Sequence, residues 1–220
     1  MLNQNFNEKV VMQSSQFESV SSPCDGVIRI LLERSEDSEY AISTTLVEFQ
    51  PDSRFDEHIH DHGEELFVIE GTFSDEYGHY PAGTYIRNPN GTKHSPFSKN
   101  GCKLFVKLRQ FDNKDDKKII INTNKQPWLP GLVKGLEVMP LHNFEHENTA
   151  LVKWDKNTQF NFHQHFGGEE ILVLSGTFYD EFGSYPKLTW IRNPHMSKHT
   201  PYTLDDGALI FVKTGHLLSR

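Results

Sequence analysis

Hydrophobic positions along the chain come in short runs and alternations. No window shows a capped stripe of apolar residues at helical spacing. Val27–Leu32, Ile42–Phe49, Leu66–Ile69, Thr84–Arg87 and Leu104–Leu108 are rich in β-branched, aromatic and aliphatic residues. Turn-forming residues separate them at Pro51-Asp52, Tyr77-Gly78, Asn88-Pro89-Asn90-Gly91 and Asn100-Gly101. Many short strands with turn-rich spacers predict an all-β protein, a sandwich or a barrel. Helix is expected only in the N-terminal tail or around Gln126–Leu132.

The strand pattern is written twice. GTFSDEYGHYP at Gly71–Pro81 returns as GTFYDEFGSYP at Gly176–Pro186, and IRNP at Ile86–Pro89 returns at Ile191–Pro194. Phe105-Val106-Lys107 returns as Phe211-Val212-Lys213. The offset reads as 105 residues from Gly26/Gly131 to Ser98/Thr203 and 106 thereafter, with one residue inserted near Leu204. A repeat of this length gives each copy a fold of its own. The expected organisation is an N-terminal arm over residues 1–20, a first domain over 21–112, a charged linker over 113–125 and a second domain over 126–220.

Charge narrows the partners. With 22 basic and 30 acidic residues the net charge is −8, which repels phosphate backbones and anionic lipid, so neither nucleic acid nor a membrane is an expected partner. Two cysteines, Cys24 and Cys102, cannot build a disulfide framework. Met1–Phe17 lacks the apolar stretch of a signal peptide, and apolar runs such as Ala208–Val212 are too short to span a bilayer. The expected location is the cytoplasm.

Candidate chemistry lies in the histidines. Of the 12, His58, His60 and His94 match His163, His165 and His199, and Glu64 matches Glu169. Side chains alternate along a strand, so two histidines separated by one residue share a face, a carboxylate four residues on keeps that parity, and a histidine from another strand closes the set. Three neutral imidazoles and a carboxylate suit a divalent ion such as zinc, iron, manganese, nickel or copper. A single His-x-His is weak evidence, since most histidines are ordinary surface or core residues. Eight ligand-type residues recurring in register predict one divalent metal per domain. His62, His79, His142, His146, His195 and His216 have no equivalents and read as ordinary residues, with His62 placed near the mouth of the first site.

Other recurring residues receive plainer readings. Glu65 and Glu170 point away from the metal by strand parity. Arg87 and Arg192 are expected in ion pairs with Asp75 and Asp180, Tyr80 and Tyr185 in packing, and Lys107 and Lys213 on an exposed face. Cys102, which aligns with Ala208, reads as a small buried hydrophobe. The copies also differ: Leu188 and Met196 stand where the first has Gly83 and Gly91, so any positive φ there would be strained and the second pocket narrower and more apolar.

His58-x-His60-x3-Glu64-x6-Gly71 and Gly83-x5-Pro89-x-Gly91-x2-His94 resemble the two motifs of the cupins. The second copy supplies His163, His165, Glu169, Gly176, Pro194 and His199. The resemblance implies two tandem double-stranded β-helix, or jelly-roll, domains with one metal inside each barrel. The wording around the motifs, Gly63-Glu64-Glu65, Asp75-Glu76-x-Gly78, Arg87-Asn88-Pro89 and Gly101-Cys102, is similar to the cupin half of the ChrR anti-sigma factors, which carry zinc and hold a sigma factor inactive. Zinc is therefore the favoured metal and a sigma factor an implied partner. The family's helical sigma-binding part, with its His-x3-Cys-x2-Cys zinc site, has no counterpart in the 20 residues before the first repeat.

Three functions follow from these residues. The resemblance favours a regulatory or sensory metallocupin that responds to a small molecule or oxidant at the metal. The alternative is a metal-dependent enzyme acting on a small molecule, such as a non-haem dioxygenase, because four protein ligands leave two positions of an octahedral ion open. A hydrolase belongs to the same alternative. The third is a metal that only holds the fold together. No catalytic residue is assigned.

Overall fold

The computed structural model describes residues 1–218. Among them there is no α-helix: the only helical pieces are 3-10 turns at Ser14–Gln16 and Thr123–Lys125. The helix expected near Gln126–Leu132 is replaced by a short strand at Leu129–Pro130. Among the described residues no helix is long and apolar enough to cross a membrane.

The chain divides into two compact units. One comprises Met1–Gln4 and Phe17–Gln126; the other comprises residues 5–16 and the chain from Pro127 onward. In the first unit the antiparallel order is Ile119–Asn122, Thr84–Asn88, Glu64–Asp75, Cys102–Leu108, Ser43–Phe49, Val27–Arg34 and Ser19–Ser21. The second unit repeats it as Val10–Met12, Trp190–Asn193, Glu169–Asp180, Ala208–Thr214, Glu147–Trp154, Leu136–Phe144 and Leu129–Pro130. Each is a jelly roll. The segment 113–125 thus contributes an edge strand, pairing Ile119 with Arg87, and the N-terminal segment contributes the matching one, pairing Val10 with Arg192.

A 12-residue strand forms the corner of each barrel, Glu64–Asp75 in the first unit and Glu169–Asp180 in the second. Its first part pairs into the large sheet, and its second part pairs with Gly78–Pro81 or Gly183–Pro186. The bend falls at Gly71 and Gly176, both at positive φ, where an added Cβ would lie 2.1 Å from the carbonyl oxygen of Gly101 or Gly207. Only glycine permits that approach. The interior of the first barrel is built from alternating apolar residues such as Val47, Phe49, Leu66, Phe73, Leu104 and Val106. In the second barrel Trp154, Ile171, Val173, Phe178, Ile191 and Ile210 do the same. Fully burying a side chain of this size contributes about 1.5–3 kcal/mol.

The structure changes the repeat alignment at its start. Val27 pairs with Phe49, and Leu136 pairs with Trp154, so Gly26 corresponds to Gly135 rather than to Gly131. The difference is absorbed in the first hairpin. Between Arg34 and Ser43 the first unit has an eight-residue loop, whereas Phe144 and Glu147 are joined by only Glu145 and His146.

Candidate metal centres

The four residues singled out in each copy meet in space. His58, His60, Glu64 and His94 each offer a ligand atom within 4.8 Å of the others, as do His163, His165, Glu169 and His199. The short strand His58–Ile59 pairs with Lys93–His94 so that His94 lies directly opposite His58. His163 faces His199 in the same way. Cross-strand pairing therefore brings together histidines that are far apart in sequence.

Hydrogen bonds orient the rings. In the first cluster Nδ1 of His58 lies 3.0 Å from the Asp56 carbonyl, Nδ1 of His60 lies 3.0 Å from the Thr92 hydroxyl, and Nδ1 of His94 lies 3.2 Å from an Asp75 carboxylate oxygen. The Asn88 amide donates to Glu64 Oε2 at 2.9 Å. With Nδ1 engaged outward, Nε2 of His60 and of His94 turn inward, 3.4 and 3.7 Å from Glu64 Oε2. The second cluster repeats three of these contacts, with the Asn161 carbonyl behind His163 at 2.9 Å, Asp180 behind His199 at 3.2 Å and Asn193 on Glu169 at 2.9 Å. Carboxylate–histidine–metal arrangements of this kind fix ring orientation and raise ligand basicity.

A divalent ion fits both clusters. Nε2 of His165 and of His199 are buried and have no hydrogen-bond partner, which is costly unless a cation completes them. In the first cluster Nε2 of His60 and His94 face each other at 3.2 Å. Ligands about 2.0–2.2 Å from a shared ion stand roughly 3–3.5 Å apart, close to the separations seen here.

Electrostatics favour the ligand forms of Glu64, His60 and His165. Burial alone pushes the Glu64 carboxyl up, but His60, His94 and the Asn88 hydrogen bond outweigh it and hold it below the usual value. Burial lowers His60 and His165 against the pull of Glu64 and Glu169, so both stay neutral. His94 is raised: burial lowers it, but the Asp75 bond and the charge of Glu64 prevail.

Several supporting residues were not identified as such from the sequence. Asp75 and Asp180 serve His94 and His199 rather than the arginines, and Tyr80 and Tyr185, read as packing residues, also donate to them at 3.0 and 2.7 Å. Their recurrence beside the first motif was the available signal. Arg87 instead pairs with Glu65 at 3.2 Å and with Asp115, and Arg192 donates to the Asn5 carbonyl at 3.0 Å. Glu65 does point away from the cluster, and it is buried against Arg87 and Tyr85 rather than set on the surface. Lys107 and Lys213, expected to be exposed, are buried; Lys107 reaches the Thr44 hydroxyl and Lys213 reaches Glu147. Cys102 is buried as expected, and burial pushes its thiol up to about 11.

A cavity of about 660 Å³ opens on the first cluster and is lined by His58, His60 and Glu64. Its walls include Val47, Phe49, Leu66, Phe73, Leu104 and Val106, and its rim includes Arg29, Glu39, Tyr40 and Arg109. His62 is exposed and lies outside this lining. Leu188 and Met196 do adopt positive φ, 67° and 62°. Met196 is 46% exposed, however, so its side chain does not fill the second barrel. The bulk there comes from Trp154, which replaces Phe49 and packs edge-on against Phe178 at 5.4 Å.

Two jelly rolls, each with three histidines and a glutamate gathered in its barrel, define a bicupin. The family described as the ChrR cupin-like domain matches residues 7–112 and again 116–218. The chain belongs to that family. No curated protein matches the sequence. Among solved structures, a provisionally assigned dioxygenase from Nostoc punctiforme is similar at 16% identity and TM-score 0.79, covering 97% of this chain and 85% of that one. A Bacillus subtilis oxalate decarboxylase variant aligns at 13% identity and TM-score 0.65, over 93% of this chain and 76% of that one. The Escherichia coli pirin in complex with nickel(II) aligns at 14% identity and TM-score 0.67, over 94% and 99%. At these identities the likeness extends to the fold.

Proposed function

We propose that the protein is a metal-dependent cupin enzyme acting on a small molecule, of the non-haem dioxygenase type. In this reading His58, His60, Glu64 and His94 hold one divalent ion, and His163, His165, Glu169 and His199 hold another. The observation that carries it is the cavity of about 660 Å³ opening on the first cluster, a size typical of small-molecule sites and unnecessary for a purely structural metal. When bound, the ion supplies open coordination positions and Lewis acidity or a redox couple. Zinc has no redox chemistry, so iron, manganese or nickel is the ion for this reading. The chain's own contribution is to orient the imidazoles through Asp75, Thr92 and the Asp56 carbonyl, keep Glu64 ionised, and exclude bulk water with the apolar wall.

The test is metal analysis of protein purified without added metal, followed by oxygen-uptake and product screens with each ion. Turnover that needs the metal, is lost in His60→Ala and survives in His165→Ala supports the enzyme. A second reading, a regulatory cupin sensing an oxidant and holding a sigma factor, is favoured by the family's description. Its outcome is no turnover with any ion, together with oxidant-dependent capture of a sigma factor. A bound zinc that changes stability but neither turns over substrate nor binds a partner would mean a structural metal.

A further inference from the structure

Arg109 sits at the rim of the first cavity in a left-handed conformation, φ 60°. Such a conformation costs a non-glycine residue roughly 1 kcal/mol or more and marks a place where a side chain is wanted. Its N–H donates to the Gly63 carbonyl at 2.9 Å, and it directly follows Leu108, the strand partner of Glu64. The Arg109 backbone is therefore tethered next to the strand that carries Glu64, and its side chain lines the cavity. The guanidinium lies 5.7 Å from the centre of the Tyr40 ring, and among the described residues no carboxylate pairs with it. The acids nearby are otherwise engaged or solvated: Glu39 binds Arg29 at 3.1 Å, Glu57 binds Lys93 at 3.1 Å, and Asp56 and Asp61 are exposed.

The second copy shows that this arginine is specific to the first. The corresponding residue is Gly215, also at positive φ, and a Cβ there would lie 1.9 Å from the His146 carbonyl oxygen. His146 belongs to the tight turn that replaces the loop between Arg34 and Ser43. Lengthening that hairpin removes the obstruction and brings Glu39 and Tyr40 to the cavity rim. The loop and the arginine thus form one feature of the first unit, at the rim of its cavity.

We propose that the first cavity binds a small organic acid, its carboxylate on Arg109 and its apolar body against Phe49, Leu66, Phe73 and Val106, above the metal cluster. This deepens the enzyme reading and rests on it for the role of the cavity floor. Arginine suits a carboxylate because its planar fork donates two parallel hydrogen bonds, and a partly enclosed apolar site strengthens them.

Calorimetric titration of metal-loaded protein with phenylacetate, 3-phenylpropionate and hexanoate, against the corresponding amides, tests the proposal. The acids are expected to bind at least tenfold more tightly than the amides, about the value of one charge-assisted contact. Arg109→Gly, which copies Gly215 and relieves the strained φ, should abolish that preference while leaving metal content and amide binding unchanged; Arg109→Lys should retain part of it. Equal binding of acids and amides, no acid binding at 10 mM (about the weak end of affinity for one such contact), or full acid binding by Arg109→Gly would overturn it. Titration of chelator-treated protein separates the two readings. Acid selectivity without metal, together with no metal-dependent turnover, leaves the Arg109 site standing and counts against the metal enzyme, whereas metal-dependent turnover of amides without acid selectivity does the opposite.

Discussion

The two barrels carry matching sets of four ligand-type residues with the same carboxylate and amide supports, yet their rims are built differently. In the first, an eight-residue loop between Arg34 and Ser43, Arg109 and Tyr40 frame a cavity that opens on the histidines. In the second, Glu145-His146 closes the hairpin, Gly215 stands in place of the arginine, and Trp154 stands in place of Phe49. The interior of a duplicated barrel is constrained by its ligands and its corner glycines, while the loops at the rim are free to change length. Function diverges at the rim. The first barrel has a cavity rimmed by the long loop and Arg109, while the second carries an equally buried cluster beneath a different rim.

The largest effects come from removing ligands. His60→Ala and His165→Ala should each lower the metal content from two ions to one. Each should also remove about 3 kcal/mol of stability in the presence of metal well above its dissociation constant, because an ion bound only by the folded state stabilises it. Chemical denaturation with and without chelator measures this. Equal losses with chelator present would assign the effect to packing instead. Tryptophan fluorescence follows the second unit, because Trp128, Trp154 and Trp190 all lie in it.

Next in size is an exchange at the rim. Gly215→Arg should destabilise the second unit by about 2–4 kcal/mol, since its Cβ collides with the His146 carbonyl. Arg109→Gly should leave the first unit as stable as before or slightly more so, by up to about 1 kcal/mol. If Gly215→Arg is tolerated, the tight turn is not what keeps a side chain out.

A smaller asymmetry lies behind the second cluster. Lys9 contacts Asp180 at 3.0 Å and Tyr185 at 2.8 Å, so the N-terminal strand reaches the carboxylate that orients His199. In the first unit Lys118 lies over the Tyr77 ring at 4.8 Å, as Lys9 lies over Phe182 at 4.7 Å. Lys9→Met should speed metal release from the second site about tenfold without touching the first, the range for residues that support a ligand. Stopped-flow chelation of the two single-site variants checks it. Smallest is Met196→Gly, which relieves a positive φ at an exposed position and should stabilise the second unit by about 0.5 kcal/mol.

The duplicated β-fold and the eight cluster residues were legible because their signals are local: strand alternation, turn residues, and His-x-His-x3-Glu in both copies. Glycine at Gly71 and Gly176 was part of the motif, and the structure supplies its reason in the approach of Gly101 and Gly207. What the sequence concealed depends on pairing between distant segments. Val10–Met12 and Ile119–Asn122 read as tail and linker because three or four residues carry no pattern of their own; they are strands only because an edge awaits them. Lys107 and Lys213 alternate as solvent-facing residues do, and they are nevertheless buried. The Gly26 correspondence was misread because the length change lies inside a hairpin, where no conserved spacing anchors the alignment. The cavity rim was illegible for the same reason.

The central claim is that both clusters hold a metal and only the first is open to an outside ligand. The most direct measurement loads the single-site variants His165→Ala and His60→Ala with cobalt(II) and titrates each with azide, following the visible d–d bands. Azide should perturb the first-site spectrum in His165→Ala and leave the second-site spectrum in His60→Ala unchanged, or bind it at least tenfold more weakly (about 1.4 kcal/mol). Equal azide binding at the two sites, or tighter binding at the second, would contradict the account.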